Sequence, residues 1–241
     1  MDKKITRIFL WSGPRNISTT LMYSFAQRKD TKVFDEPLYA FYLSQTDAKE
    51  YHPDAELIIN SMENNGERVI DLMTDDHKAS VVFFKNMTHH LLNLNKDFLS
   101  EGFNIILTRD PKEMLPSFHK VIPNPTLKDV GYQEHLDLID QFEKLNAKYI
   151  VMDSKMILEN PSSELKRLCD YANIPFTDEM LSWESGARRE DGLWAKHWYK
   201  NIHRSTGFLE YRLKTENFPS ELLPLLKECI PRYKRIIEKI K

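Results

Sequence analysis

Ile5-Thr6-Arg7-Ile8-Phe9-Leu10-Trp11, followed at once by Ser12-Gly13-Pro14-Arg15-Asn16-Ile17-Ser18-Thr19-Thr20, is the stretch that decides the fold. Apart from Thr6 and Arg7 the first seven residues are apolar, as a strand buried on both faces requires. Ile17, Leu21, Met22 and Phe25 then fall on one side of a helical wheel. A strand that runs through a short polar loop into a helix exposes unpaired backbone N–H groups and the positive end of the helix dipole. Such a site holds phosphate or sulfate. Arg15 adds a permanent charge with a planar fork of donors, and Ser18, Thr19 and Thr20 add hydroxyls. The plainer alternative makes Ser12-Gly13-Pro14 a turn and Ser18 a helix cap. The loop lacks the Gly-Lys-Ser/Thr of nucleotide hydrolases, and Ile17 stands where a glycine is expected.

Four further β-type runs follow: Lys32–Asp35, Ser80–Lys85, Phe103–Thr108 and Tyr149–Met152. Helical patterns separate them, and this alternation predicts βαβ units and a parallel sheet. Asp110-Pro111 and Asn160-Pro161 each read as an N-cap followed by a proline in the first turn, and Leu165, Leu168 and Cys169 mark an inner face after the second. The last third is helical, ending in Ser220–Lys241. Between Trp183 and Phe208 the periodicity is lost, and three tryptophans stand among Arg188, Arg189, Lys196, Lys200 and Arg204. The fold class is therefore α/β: one P-loop-like domain over residues 1–241, with a parallel sheet of about five strands flanked by helices and a helical C-terminal third. Residues 183–215 form a candidate lid, with a loop anchored by its aromatics as the alternative.

The composition narrows the function. The chain has 241 residues, 41% hydrophobic, enough for one sizeable core, and a formal net charge of −2. That charge argues against a nucleic-acid partner. Two cysteines, Cys169 and Cys229, both in helical patterns, suit buried thiols in a cytoplasmic protein. The first apolar run is too short for a signal-peptide core, and no apolar stretch approaches a membrane span.

A second phosphate signature lies at Ile105-Ile106-Leu107-Thr108-Arg109-Asp110-Pro111, where a strand ends in Arg before a capped helix. Ser117 stands eight residues after Arg109, about two helical turns on. Together they could grip one phosphate, or Arg109 could pair with a structural carboxylate.

With both motifs in this order, the chain resembles the sulfotransferases that use 3′-phosphoadenosine 5′-phosphosulfate (PAPS). The resemblance implies that Arg15, Asn16, Ser18, Thr19 and Thr20 hold the 5′-phosphosulfate, and that Arg109 and Ser117 hold the 3′-phosphate. Ile150–Phe176 is similar to a later block of that family, and Trp198 with Ser205-Thr206-Gly207-Phe208 is similar to its cofactor-covering segment, which brings in Ser205. Asn16-Ile17 departs from the family's usual Ser-Gly. The implied reaction transfers a sulfuryl group to the hydroxyl of a small-molecule acceptor, with no metal. A P-loop nucleotide kinase or hydrolase is the alternative class, as is a binder of phosphoadenosine compounds without catalysis. Nothing independent points to pyridoxal phosphate chemistry.

Ligands in open parallel sheets bind at the carboxyl ends of the strands. Those ends here carry the Arg15 loop, Asp35-Glu36, Lys85-Asn86, Arg109-Asp110 and Asp153, with cations at three of the five. Sulfuryl transfer to an alcohol needs positive charge at the leaving oxygen, the role assigned to Arg15, and a base for the acceptor proton. Glu36 is the first candidate base, on a second strand expected to lie beside the first, with Pro37 holding its backbone extended. Its alternative is a structural role, capping the next helix or pairing with Arg15. In the cytosolic members the base is a His where this chain has Met87, so His89 or His90 would have to serve instead.

Overall fold

The computed structural model describes residues 5–213 and 217–240. Residues 214 and 215 of the candidate lid and Lys241 of the last predicted helix lie outside them. Five strands form one parallel sheet: β1 (Thr6–Ser12), β2 (Thr31–Asp35), β3 (Val81–Met87), β4 (Phe103–Thr108) and β5 (Lys148–Asp153). All five expected strands are present, each within two residues of its expected ends.

Alternation along each strand sends successive side chains to opposite faces. Phe9, Trp11, Val82, Phe84 and Ile106 pack on one face against helices that include Gly66–Thr74, Tyr132–Leu145 and Leu223–Ile237. Ile8, Leu10, Phe83, Ile105 and Met152 pack on the other, against Ser18–Phe25 and Pro161–Tyr171. Leu165, Leu168 and Cys169 of that last helix are fully buried, on the face expected of them. Burial on both faces is why the strands read as unbroken apolar runs. No helix among the described residues is long and apolar enough to cross a membrane.

The strand order is β2-β3-β1-β4-β5. This corrects the expected neighbour of β2, which pairs with β3 rather than β1. Strand β1 is central, paired through Ser12 to both Met87 of β3 and Leu107 of β4. Because every strand is parallel, the loops after β1, β2, β3 and β4 all open on one edge. The loop after β1 opens there into the crevice between connections that leave on opposite sides.

Two sharp backbone features lie on that edge. Arg15 (φ 59°) and Ile17 (φ 61°) both adopt the left-handed conformation. A β-branched residue there costs about 1–2 kcal/mol, which gives a physical reason for the glycine of the usual pattern at position 17. Glu36 (φ 44°) is left-handed as well, not extended as the following proline suggested. Its N–H donates to the Lys85 carbonyl (2.8 Å), extending the β2–β3 ladder by one residue, while its own carbonyl accepts from Tyr39 N–H (2.9 Å) to start the next helix. Meeting both bonds across one residue forces the sharp turn despite the proline preference.

Candidate active site

A cavity of about 440 Å³ sits at this edge, and every residue proposed from the sequence lines it: Arg15, Asn16, Ser18, Thr19, Thr20, Glu36, His89, His90, Arg109, Ser117 and Ser205.

Its first wall is the loop after β1. Ile17 caps the helix Ser18–Phe25 without any side-chain hydrogen bond, so Ser18 is the first helical residue rather than the cap. Residues 17–20 line the cavity, and the first turn of the helix carries no side-chain cap there. The loop is tied to the sheet from behind. Asn16, 2% exposed, donates from Nδ2 to the Leu107 carbonyl (3.0 Å), and Ser154 Oγ donates to the Asn16 carbonyl (2.9 Å). Among the described residues, Asn16 Oδ1 is buried without a partner.

The two arginines meet in this wall. Arg109 donates from one Nη to the Arg15 carbonyl (3.0 Å), and Arg15 Nε donates to Ser117 Oγ (3.1 Å). Burial, and after it the neighbouring Arg109 charge, lower the Arg15 pKa. The two cations favour an anion beside them, and Glu113 already answers the Arg109 charge. Arg109 also forks onto Glu113 Oε2 (3.2 and 3.0 Å), and Tyr211 donates to the other oxygen of Glu113. Arg109 and Ser117 thus share the wall, but the Ser117 hydroxyl is engaged by Arg15 and not by Arg109.

The opposite wall holds a buried ionic cluster. Lys85 Nζ donates to Asp35 Oδ1 (2.8 Å), to Glu36 Oε1 and to Tyr199 Oη (2.7 Å). Burial alone would lower the Lys85 pKa, but the two carboxylates outweigh it and hold the ammonium charged. The cation expected to be free at the end of β3 is therefore neutralised inside the protein, because the β2–β3 register sets Asp35 beside Lys85. Burial raises the Glu36 pKa; Lys85 opposes that and Asp35 adds to it. Glu36 therefore neither caps the following helix with its side chain nor pairs with Arg15.

Between the walls lies an aromatic floor. His90 is sandwiched between Tyr39 (5.0 Å) and Tyr42 (4.4 Å), and the Tyr39 hydroxyl meets His52 Nδ1 (2.6 Å). Burial, more than the nearby His52 charge, lowers His89 to about 4. Its Nδ1 and that of His90 are buried without partners among the described residues.

In the segment 183–213 the tryptophans divide. Trp183 is core: it packs on Tyr23 and Phe208 and donates from Nε1 to Ser205 Oγ (3.2 Å). Trp194 and Trp198 line the cavity. Sequence reasoning missed Tyr199, Tyr39, Tyr42 and His52. For Tyr199 the one available signal was the density of aromatics around it, since nothing local ties it to Asp35, 164 residues away. Among the described residues no group of three or more His, Cys, Asp or Glu could hold a metal ion.

Comparison with known proteins bears on this site. The family model described as "Sulfotransferase domain" matches residues 6–237. "Branched-chain-amino-acid aminotransferase-like protein 2" of Arabidopsis thaliana is 39% identical over 228 residues, 94% of this chain. A second such protein of the same plant is 38% identical over an equal length. The chain spans only 40% of each of these curated relatives. Among solved structures, the sulfotransferase domain from the curacin biosynthetic pathway superposes with a TM-score of 0.55 at 14% identity, covering 95% of this chain and 98% of that one. A sulfotransferase from Alicyclobacillus acidocaldarius does so at 0.51 with 8% identity, covering 97% and 94%.

Proposed function

Because the chain belongs to the sulfotransferase domain family, we propose that it transfers a sulfuryl group from 3′-phosphoadenosine 5′-phosphosulfate to a hydroxyl of a small acceptor. One observation carries the donor assignment. Arg15, close enough to Arg109 for their charges to interact, and Arg109, itself paired with Glu113, line a single cavity with an uncapped helix N-terminus. A donor with several negative charges answers that arrangement, and the orphaned Asn16 Oδ1 offers an acceptor to a donor N–H or hydroxyl.

In this reading Arg109 and Ser117 hold the 3′-phosphate, while the first helical turn with Ser18, Thr19 and Thr20 holds the 5′ end. Ser205 and Trp198 line the same cavity and contact the donor there. When bound, the donor supplies a sulfuryl group, whose bond to the 5′-phosphate oxygen breaks as an acceptor oxygen bonds to sulfur. Arg15 offsets the charge that grows on the leaving oxygen. Glu36 takes the acceptor proton: Lys85 holds its Oε1, which leaves Oε2 to receive it. His89, kept neutral by burial, is the second candidate for that role. A cytoplasmic setting is supported by two buried free thiols, Cys169 and Cys229.

The test is release of radiolabelled sulfate or sulfated product from labelled donor, with Mg-ATP offered in parallel. Turnover of the phosphosulfate supports the assignment. Turnover of ATP alone overturns it in favour of a nucleotide kinase or hydrolase.

A further inference from the structure

We infer that Asp35 and Tyr199 are positioning residues for Glu36, acting through Lys85, and that Tyr199 makes the assembly of the base depend on how segment 192–199 is seated. The inference rests on the reading of Glu36 as the proton acceptor.

The geometry is a closed buried network. Lys85, 1% exposed, spends its three protons on Asp35, Glu36 and Tyr199. The Tyr199 hydroxyl, with one proton and two lone pairs, accepts from Lys85 Nζ (2.7 Å) and from Trp194 Nε1 (3.1 Å) and donates to the Asp35 carboxylate (2.8–2.9 Å). Asp35 Oδ2 also accepts the Gly192 N–H (3.0 Å). Two of these links come from segment backbone or side chains more than 150 residues away in sequence. An ammonium with one of its three partners removed would swing toward those remaining. Here the tyrosine and the aspartate occupy two positions, so the third is directed at Glu36 Oε1.

The charges add a second argument. Two carboxylates and one ammonium leave the cluster with an excess negative charge, which favours proton uptake. The groups facing Glu36 are Asp35 from β2, Lys85 from β3, Tyr39 from the next helix and Tyr199 from the segment. His90 faces Lys85 from beyond. Asp35 raises Glu36 and Lys85 lowers it. Removing the Asp35 charge leaves Glu36 alone with the ammonium, and its pKa falls.

Tyr199→Phe keeps the ring and removes the hydroxyl, so it tests the network with little change in packing. The assay is single-turnover hydrolysis of radiolabelled phosphosulfate donor, with water as the acceptor, alongside binding of adenosine 3′,5′-bisphosphate. Tyr199→Phe should lose about tenfold in rate with bisphosphate affinity unchanged. Asp35→Asn should move the acid limb of the rate profile to lower pH, a shift that a merely structural residue would not produce. Parent-like rates in Tyr199→Phe overturn the inference, as does a parallel loss of bisphosphate affinity. A Glu36→Gln enzyme that hydrolyses the donor like the parent overturns the base assignment and this inference with it. An inactive Glu36→Gln beside a fully active Tyr199→Phe overturns this inference alone.

Discussion

Arg15 Nε donates to Ser117 Oγ at 3.1 Å, which joins the loop after β1 to the helix after β4. The two sequence motifs are therefore joined into one continuous surface.

The first expected outcome concerns Arg109. Arg109→Ala should weaken adenosine 3′,5′-bisphosphate binding by about 2–5 kcal/mol, the cost of losing a charge-assisted contact at a partly buried site. Ser117→Ala should cost about 1 kcal/mol, because it removes one neutral partner. Calorimetric titration measures both. An Arg109→Ala protein that binds the bisphosphate as tightly as the parent would place the 3′-phosphate elsewhere.

Glu36→Gln keeps the size of the side chain and one acceptor oxygen but cannot take a proton. The rate should fall about 10²–10⁴-fold, with donor binding and melting temperature nearly intact. The sign of the pH effect follows from the raised Glu36 pKa. The base works above that pKa and is lost as pH falls through it, so the acid limb of kcat lies above the ordinary Glu value of about 4.3. The limb should vanish in Glu36→Gln. If Glu36→Gln turns over normally while His89→Ala or His90→Ala is dead, the base lies at the exit of β3.

Chelation should leave turnover unchanged. A sulfuryl group in transfer carries less charge than a phosphoryl group, and the loop offers Arg15 and hydroxyls in place of the Lys and Mg²⁺ of a nucleotide hydrolase. Arg15→Ala should then lower kcat more than it weakens donor binding. Activity abolished by chelator and restored by Mg²⁺ would contradict this.

His135 gives a prediction about stability. It is fully buried, and neither ring nitrogen has a partner among the described residues. Burial, with a smaller push from His89, lowers it to about 3. The unfolded chain takes up this proton near pH 6.5, well before the folded one does. Stability is thus lost as pH falls from about 6.5 toward 3, by up to about 1.4 kcal/mol per pH unit. His135→Phe forfeits no hydrogen bond and should flatten that dependence. Urea denaturation at pH 5 and 7.5 measures it, and equal slopes for variant and parent would refute it.

Strands, helices and anion motifs were legible because each is local: an apolar run, a proline after a cap, an arginine at a strand end. Strand order was not, since β2 and β3 are joined by a long helical connection whose path no residue pattern encodes. The polar strand ends misled for a related reason. Lys85 reads as a free cation until the register sets it against Asp35. Ile17 was legible as an anomaly, and its left-handed backbone shows why. Glu36 was legible as a residue but not as a conformation, because the bonds that turn it come from Lys85 and Tyr39. Tyr199 escaped entirely, as a partner supplied by a segment without periodicity.

The insertion of β3 between β1 and β2 sets a length scale. Neighbouring strands lie about 4.8 Å apart, so roughly 10 Å separates the backbone at the end of β1 from that at the end of β2. In-line displacement needs its entering and departing oxygens on opposite sides of one sulfur. With β2 directly beside β1 that gap would be halved, and a carboxylate at position 36 would crowd the departing group. With β3 as a spacer, Glu36, the proposed proton acceptor, stands one strand further from the loop after β1, which leaves room for an acceptor alcohol between them.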